Sequence, residues 1–240
     1  MAFKHGRLAR VYFDGLDISS YLNSAGLSAT QATSDTSTFG STWTSAIAGL
    51  SSATLSTGGF YDPELTALDT ALGVDSGVVT YCPGGATAVG DMARMMLVTA
   101  SSYQRSSPVG DVVGFTWDVL AQRSLVIGYL LHPLAEDTNT TTGSSKNDGA
   151  ATTTGWTAHL HVTLVDGGSW VVKLEDSADN SSWSDVTGGA FTAATGATAQ
   201  RLSSASGATL RRYVRYTATR TGGSVGNGIT FALAYSRSNP

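Results

Sequence analysis

Thr157-Ala158-His159-Leu160-His161-Val162-Thr163-Leu164-Val165 decides the fold class. Ala158, Leu160, Val162 and Leu164 recur at every second position with mostly polar groups between them, the period of a strand and not of a helix. Trp170–Leu174, Arg212–Ala218 and Ile229–Tyr235 repeat that period toward the C-terminus. Toward the N-terminus, Arg7–Asp14 is a mixed run closed by Asp14-Gly15, a turn pair that accepts positive φ. Asp111–Leu120 and Leu125–Leu131 are rich in β-branched, aromatic and aliphatic residues and flank Ala121-Gln122-Arg123-Ser124, so an antiparallel hairpin is expected there. Gly or Ser/Asn clusters separate most of these runs, and the chain reads as mainly β.

One segment departs from the pattern. Asp62-Pro63-Glu64-Leu65-Thr66-Ala67-Leu68-Asp69-Thr70-Ala71-Leu72-Gly73 has an N-cap acid, proline at the first helical position and glycine past the end. Leu65, Leu68 and Leu72 share one face, which predicts a short helix lying on a sandwich or barrel.

Composition narrows the function classes. The chain has 240 residues, a formal net charge of −4 and only 13% charged residues, against roughly 25% for an ordinary soluble domain. Ser and Thr fill 62 positions and Gly 28. A hydrophobic content of 41% excludes a wholly disordered chain. Five prolines and no Gly-x-y period exclude a collagen-like one. The pI of about 5.4 excludes a strongly basic nucleic-acid binder. A single cysteine, Cys82, allows no internal disulfide and no cysteine metal cage. The N-terminus carries charges where a signal peptide needs an apolar core. The longest apolar stretch, Leu125–Leu131, falls far short of the roughly 20 residues of a membrane span. A soluble, non-secreted chain without a membrane anchor is expected.

Two stretches stand out. Glu136–Gly155 has almost no apolar side chain larger than alanine and reads as a Ser/Thr/Gly-rich linker between two domains. Residues 1–150 carry 7 bases and 13 acids (−6), and residues 151–240 carry 7 and 5 (+2). Thr36–Tyr61 contains no charge over 26 residues, yet holds Phe39, Trp43, Ile47, Leu50 and Leu55. A solvated loop normally carries Lys or Glu, so this stretch is either packed on its own domain or buried by another subunit.

Chemistry is hard to assemble from the remaining residues. No Gly-Lys-Ser/Thr, His-Glu-x-x-His or Cys-x-x-Cys occurs. His159 and His161 point to one side of a strand and could share a metal, but no third ligand lies nearby; they read as polar-face histidines of an exposed strand. Asp176-Ser177-Ala178-Asp179-Asn180 lacks the spacing of a calcium loop and reads as an Asx-type turn. Asp14, Asp17, Asp111 and Asp118 show no pairing. Trp156, Trp170 and Trp183 are either core or a sugar-stacking platform, and Arg211, Tyr213 and Arg215 share a strand face that binds an anion or solvates an edge. No catalytic residue, metal ligand or cofactor is called.

Several motifs, taken in order, resemble those of major tail tube proteins of long-tailed, siphovirus-type actinobacteriophages. They are Val11-Tyr12-Phe13-Asp14-Gly15-Leu16-Asp17-Ile18-Ser19-Ser20-Tyr21-Leu22-Asn23, Ser37-Thr38-Phe39-Gly40, Gly58-Gly59-Phe60-Tyr61-Asp62 and Ser106-Ser107-Pro108-Val109-Gly110-Asp111-Val112-Val113. Ala158–Val162, Asp176–Trp183 and Arg212–Arg215 are similar to the accessory domain of such proteins. The resemblance implies a tail-tube-type β-sandwich or barrel with one short flanking helix over 1–135, a linker over 136–155, and a second small β-sandwich over 156–240 on the tube exterior. It implies homohexameric rings that stack into a tube conducting genomic DNA from capsid to host without tight binding. A long loop, by position Thr36–Gly49 with Phe39, Gly40, Trp43 and Ile47, would reach the neighbouring ring. The implied partners are further copies of itself and tape-measure, tail-terminator and tail-tip proteins; the C-terminal domain would either adhere to a host surface polymer, with Trp156, Trp170 and Trp183 as candidate contacts, or reinforce the tube. The implied location is the virion tail, after synthesis in the host cytoplasm. Trimeric rings would need residues 155–240 to copy the tube fold, and they lack the helix signature of 62–73. The competing class is a capsid-decorating or carbohydrate-binding β-sandwich module.

Overall fold

The computed structural model describes residues 5–62, 66–73, 76–223 and 228–238. Its strands are β1 (Arg10–Phe13), β2 (Leu16–Asp17), β3 (Leu22–Asp35), β4 (Ala46–Phe60), β5 (Ser76–Cys82), β6 (Met92–Ser106), β7 (Gly114–Ala121) and β8 (Val126–Asp137). They continue as β9 (Thr141–Thr142), β10 (Lys146–Asn147), β11 (Thr157–Val165), β12 (Ser169–Ser177), β13 (Trp183–Ala190), β14 (Thr198–Ser203), β15 (Tyr213–Thr221) and β16 (Ile229–Ser236). One helix, α1 (Thr66–Leu72), lies between β4 and β5. Its expected start at Pro63–Leu65 falls outside the described residues.

The protein is mainly β, with two antiparallel sheets in sandwich packing. The larger sheet has eleven strands in the order β14-β11-β16-β8-β6-β5-β1-β2, with β7 on β6, β4 on β7 and β3 on β4. The smaller one has the order β10-β15-β12-β13, with β9 also on β15. Asp14 (φ 47°) and Gly15 (φ 83°) close the β1–β2 turn in the left-handed region that the pair was read to favour. A Cβ on Gly15 would come 2.8 Å from the Thr198 amide nitrogen and 2.9 Å from the Val162 carbonyl oxygen, so the turn wedges against β11 and β14 only because nothing is there.

The hairpin expected at 121–124 does not form. β7 and β8 both lie along the edge of β6 away from β5, with β7 on residues 98–106 and β8 on residues 92–95. Ala121–Ser124 offers no Gly or Asn for a tight hairpin loop. The Gln122 amide instead donates to the Leu97 carbonyl (2.8 Å), and the chain steps along β6 into the next part of the sheet.

Three apolar clusters follow from this layout. Trp117, Phe13, Leu55, Met96 and Leu72 of α1 belong to the first. Trp156, Trp170, Leu160, Leu174 and Phe231 belong to another, between the two sheets. Tyr12, Cys82, Met95, Leu130, Ala232 and Ala234 form the third, built from β1, β5, β6, β8 and β16 and therefore from both ends of the chain. The stretch 136–155 carries the end of β8 and the strands β9 and β10, both on β15. It is held by polar contacts: Asp148 accepts from Arg237 Nε (2.6 Å), Tyr235 Oη (2.5 Å) and Lys146 Nζ. Burial pushes the Asp148 carboxyl up, but the bonds from Lys146, Tyr235 and Arg237 outweigh it and hold the group below the usual range.

Candidate functional site

β3 and β4 pair from Leu22 opposite Gly59 to Asp35 opposite Ala46. β7 supports β4 only from Thr54 to Phe60. Beyond Thr54 the ribbon has neither a third strand nor a covering layer, and every residue from Ser28 to Ser52 is exposed. Eight residues of β3 project over roughly 25 Å. A two-stranded ribbon of this kind is marginal in water unless something covers it.

Its composition is unlike that of a solvated hairpin. Between Ile18 and Tyr61 the only charge is Asp35. Phe39 and Trp43 at the tip are 114% and 85% exposed, and Ile47 and Leu50 on β4 are 63% and 89%. Fully covering side chains of this size is worth about 1.5–3 kcal/mol each, so roughly 6–12 kcal/mol for the four. That is comparable to the entropic cost of association.

The tip is nevertheless ordered by its own hydroxyls. The Thr36 amide donates to the Ser45 carbonyl (2.8 Å), the Ser45 amide to Ser37 Oγ (3.0 Å), and the Thr38 amide to Ser41 Oγ (3.2 Å). The Ser37 amide donates to Asp35 Oδ1 (2.7 Å), and the side-chain and backbone bonds from Ser37 hold the Asp35 carboxyl below its ordinary range. A loop fixed in this way loses less freedom on binding. Among the described residues no strand pairs the outer edge of β3 or the distal edge of β4, and neither strand carries the Lys or Pro that guards an open edge.

The register places the solvent face of β3, β4, β7 and β6 side by side. Ser28, Thr54 and Leu120 form one row; Gly26, Ser56, Asp118 and Ser102 the next; Ser24, Gly58, Thr116 and Gln104 the third. This face is rich in hydroxyls, holds one carboxylate and has no base. Ser102 Oγ donates to Asp118 Oδ2 at 2.9 Å.

The residues singled out in the sequence end in different surroundings. Phe39, Gly40, Trp43 and Ile47 gather at the ribbon tip, all exposed. Trp156 and Trp170 are fully buried in the core between the sheets, so neither presents a ring to a surface ligand. Trp183 is partly exposed, but the Arg215 guanidinium lies 4.0 Å from its ring centroid, fixed by Glu175 Oε2 at 2.8 Å. Arg211 is engaged by Asp176, to which its Nε donates at 2.7 Å.

His159 and His161 are not on an exposed strand. β11 is covered on both sides, and the two rings turn inward toward β5, where Thr80 Oγ1 lies 3.2 Å from His159 Nδ1 and 2.9 Å from His161 Nε2. Burial pushes the His161 imidazole down to about 3, and burial together with His161 and Arg201 pushes His159 well below its ordinary value. Cys82 is also buried, its thiol pushed up to about 12 by desolvation with Asp91 and Asp17 adding to it, which leaves it inert as a nucleophile. Asp179 Oδ1 accepts from the Ser181 and Ser182 amides (2.9 and 2.8 Å), the Asx-type turn read from the sequence. Asp14 Oδ1 accepts from the Val78 amide of β5 (3.2 Å) and Asp17 Oδ1 from the Ser19 amide two residues on, while Asp111 and Asp118 lie on a loop and on the outer sheet face. Among the described residues no three His, Cys, Asp or Glu side chains gather to hold a metal.

No family model and no curated protein matches this chain. Among solved structures it is similar to a chain from the tail of an empty gene transfer agent particle with C6 symmetry, at 13% identity and a TM-score of 0.41, covering 51% of this chain and 97% of that one. A chain of the native gene transfer agent virion gives 13% and 0.41 over 52% and 98%. The Dit protein of phage SPP1, described as a paradigm of the hub adsorption apparatus of phages infecting Gram-positive hosts, gives 12% and 0.36 over 95% and 98%. All three come from phage tails or gene transfer agent particles, and at these scores the likeness assigns no function to this chain.

Proposed function

We propose that this protein is a structural subunit of a phage tail tube: copies close into rings of six, and the rings stack through the β3–β4 ribbon into a conduit for DNA. The observation that carries this reading is the ribbon with Asp35 as its one charge, exposed from Ser28 to Ser52 and tipped with large apolar side chains. The resemblance in sequence supports it.

Two further features fit the same reading. The four-stranded face of β3, β4, β7 and β6 ends in open edges on both sides, at β3 and at β6 beyond Thr99, where no strand lies among the described residues. Copies joined edge to edge would bury both of these edges. The hydroxyl-rich face with Asp118 as its single charge then lines the lumen, where it offers DNA no phosphate contact to slow its passage. Residues 156–240 lie on the outside, tape-measure, terminator and tail-tip proteins meet the tube at its axis and ends, and the location is the virion tail.

Negative-stain electron microscopy of the full chain tests this. Hollow tubes with a regular axial repeat are expected, and deletion of Thr36–Gly49 should leave rings or single subunits. Discrete particles alone, even with tail-tip initiators supplied, would overturn the proposal and favour a decorating or sugar-binding module, for which Trp183 is the one of the three candidate tryptophans that is not buried.

A further inference from the structure

We infer that the end of the sheet remote from the ribbon tip, formed by Phe60, Val109 and Val112, is the socket that receives the ribbon tip of a second copy; this rests on the stacked-ring reading above. The four most exposed large apolar side chains are Phe39, Trp43, Leu50 and Val109, at 114%, 85%, 89% and 107%. Three belong to the distal ribbon. Val109 sits on the β6–β7 loop, next to Val112 (59%), with Phe60 (51%) at the far end of β4.

The two patches therefore occupy opposite ends of one strand. β4 begins at Ala46 by the tip and ends at Phe60, and fourteen steps of an extended chain span roughly 45 Å. They cannot meet within a copy, so each needs a separate partner. A contact between unlike ends at opposite ends of a strand, made by copies that point the same way, repeats and stacks them along the strand direction.

The far end also has the shape and charge for the tip. Gly59, Phe60, Arg105 and Gly114 border a depression of about 410 Å³, open to solvent. The ribbon's single charge is Asp35, and Arg105 is the base beside the depression, its side chain 46% exposed and its guanidinium 5.1 Å from the Tyr61 ring centroid. Asp69 lies 3.5 Å from Arg105 on the body side, and Asp111, the acid of the loop, accepts from the Val112 amide at 2.7 Å. Docking places an acid against a base and four apolar side chains against three.

Two experiments on the full-length chain test the socket. Thr42→Cys together with Ser107→Cys keeps every apolar contact residue, and Cys82 is buried, so a short bis-maleimide should join assembled copies into a covalent ladder that neither single variant forms. Val109→Asp with Val112→Asp should lower the assembled fraction at least tenfold with an unchanged thermal midpoint. Normal tubes from the double aspartate variant, or tubes of the cysteine pair that give no ladder, would overturn the socket while leaving the tube standing. Wild-type protein that forms no tube would overturn both.

Discussion

From Ser28 to Ser52 the chain exposes every residue, while from Thr157 to Val162 it buries every one, although both runs are almost free of charge and both contain extended strands. Period two says that a segment is extended; it does not say how many of its faces are covered. β11 lies between two layers, with Leu160 packed toward the smaller sheet and His159 toward β5. The distal ribbon lies against nothing. Stability of a single copy should therefore reside in the body and owe nothing to the ribbon, whose apolar residues would, on the proposed reading, act between copies. A third run sharpens the contrast. Glu136–Gly155 has the hydroxyl-rich composition of the ribbon, but it is bonded into the smaller sheet and should behave like the body.

The largest effect is expected in that third run. Asp148→Ala would leave Arg237 and Lys146, whose side chains are 14% and 16% exposed, facing each other without a counter-charge. Breaking one partner out of such a buried network costs about 4 kcal/mol. Urea denaturation would measure it, and a loss under 1 kcal/mol would show that 136–155 is a passive tether after all. Next comes Leu160→Ala on β11, which removes a side chain 1% exposed and should cost about 3 kcal/mol with an unchanged denaturant slope.

The histidines give a smaller effect with a defined sign. His159 and His161 are held neutral in the fold, with His161 at about 3, while in the unfolded chain both protonate near 6.5. The unfolded state therefore binds more protons below that value, and the stability present above pH 6.5 is lost as the pH falls. Between pH 7.5 and 6.0 each imidazole should remove about 1 kcal/mol. His132, also pushed down by burial, acts in the same direction. Replacing His161 with Gln should flatten the profile, and an unaltered slope would place the pH dependence elsewhere. The ribbon carries no group that titrates in this window, so assembly should respond to pH only through the body.

What could be read in the residues was local. Strand periods, the Asp14-Gly15 turn and the Asx-type turn at Asp179 depend on near neighbours, and they stand as read. The hairpin at 121–124 failed because its alternative, a step along β6, is decided by a strand some twenty residues earlier. The two histidines were misplaced, and Trp156 and Trp170 stayed undecided between core and surface, for a related reason: whether a strand face meets solvent or a second layer depends on residues distant in sequence. The absence of charge in Thr36–Tyr61 was visible and pointed to burial by its own domain or by another subunit. That β3 shares the feature, leaving one acid between Ile18 and Tyr61, emerged only once the two strands were paired.

Leu50→Ala, the ribbon counterpart of Leu160→Ala, should give the smallest change in the stability of a single copy. The side chain is 89% exposed and belongs to none of the three apolar clusters, so its loss should move unfolding by no more than about 0.5 kcal/mol in either direction. The same substitution, and more so Trp43→Ala at the tip, should weaken assembly measured by sedimentation, because covering each side chain contributes about 1.5–3 kcal/mol per contact. In the proposed rings of six, such contacts would form together, and modest losses would multiply across them. A Leu50→Ala protein that unfolds as easily as the Leu160→Ala protein would mean that the ribbon folds back on its own body. One that assembles as well as wild type would mean that the apolar tip is not what joins the copies.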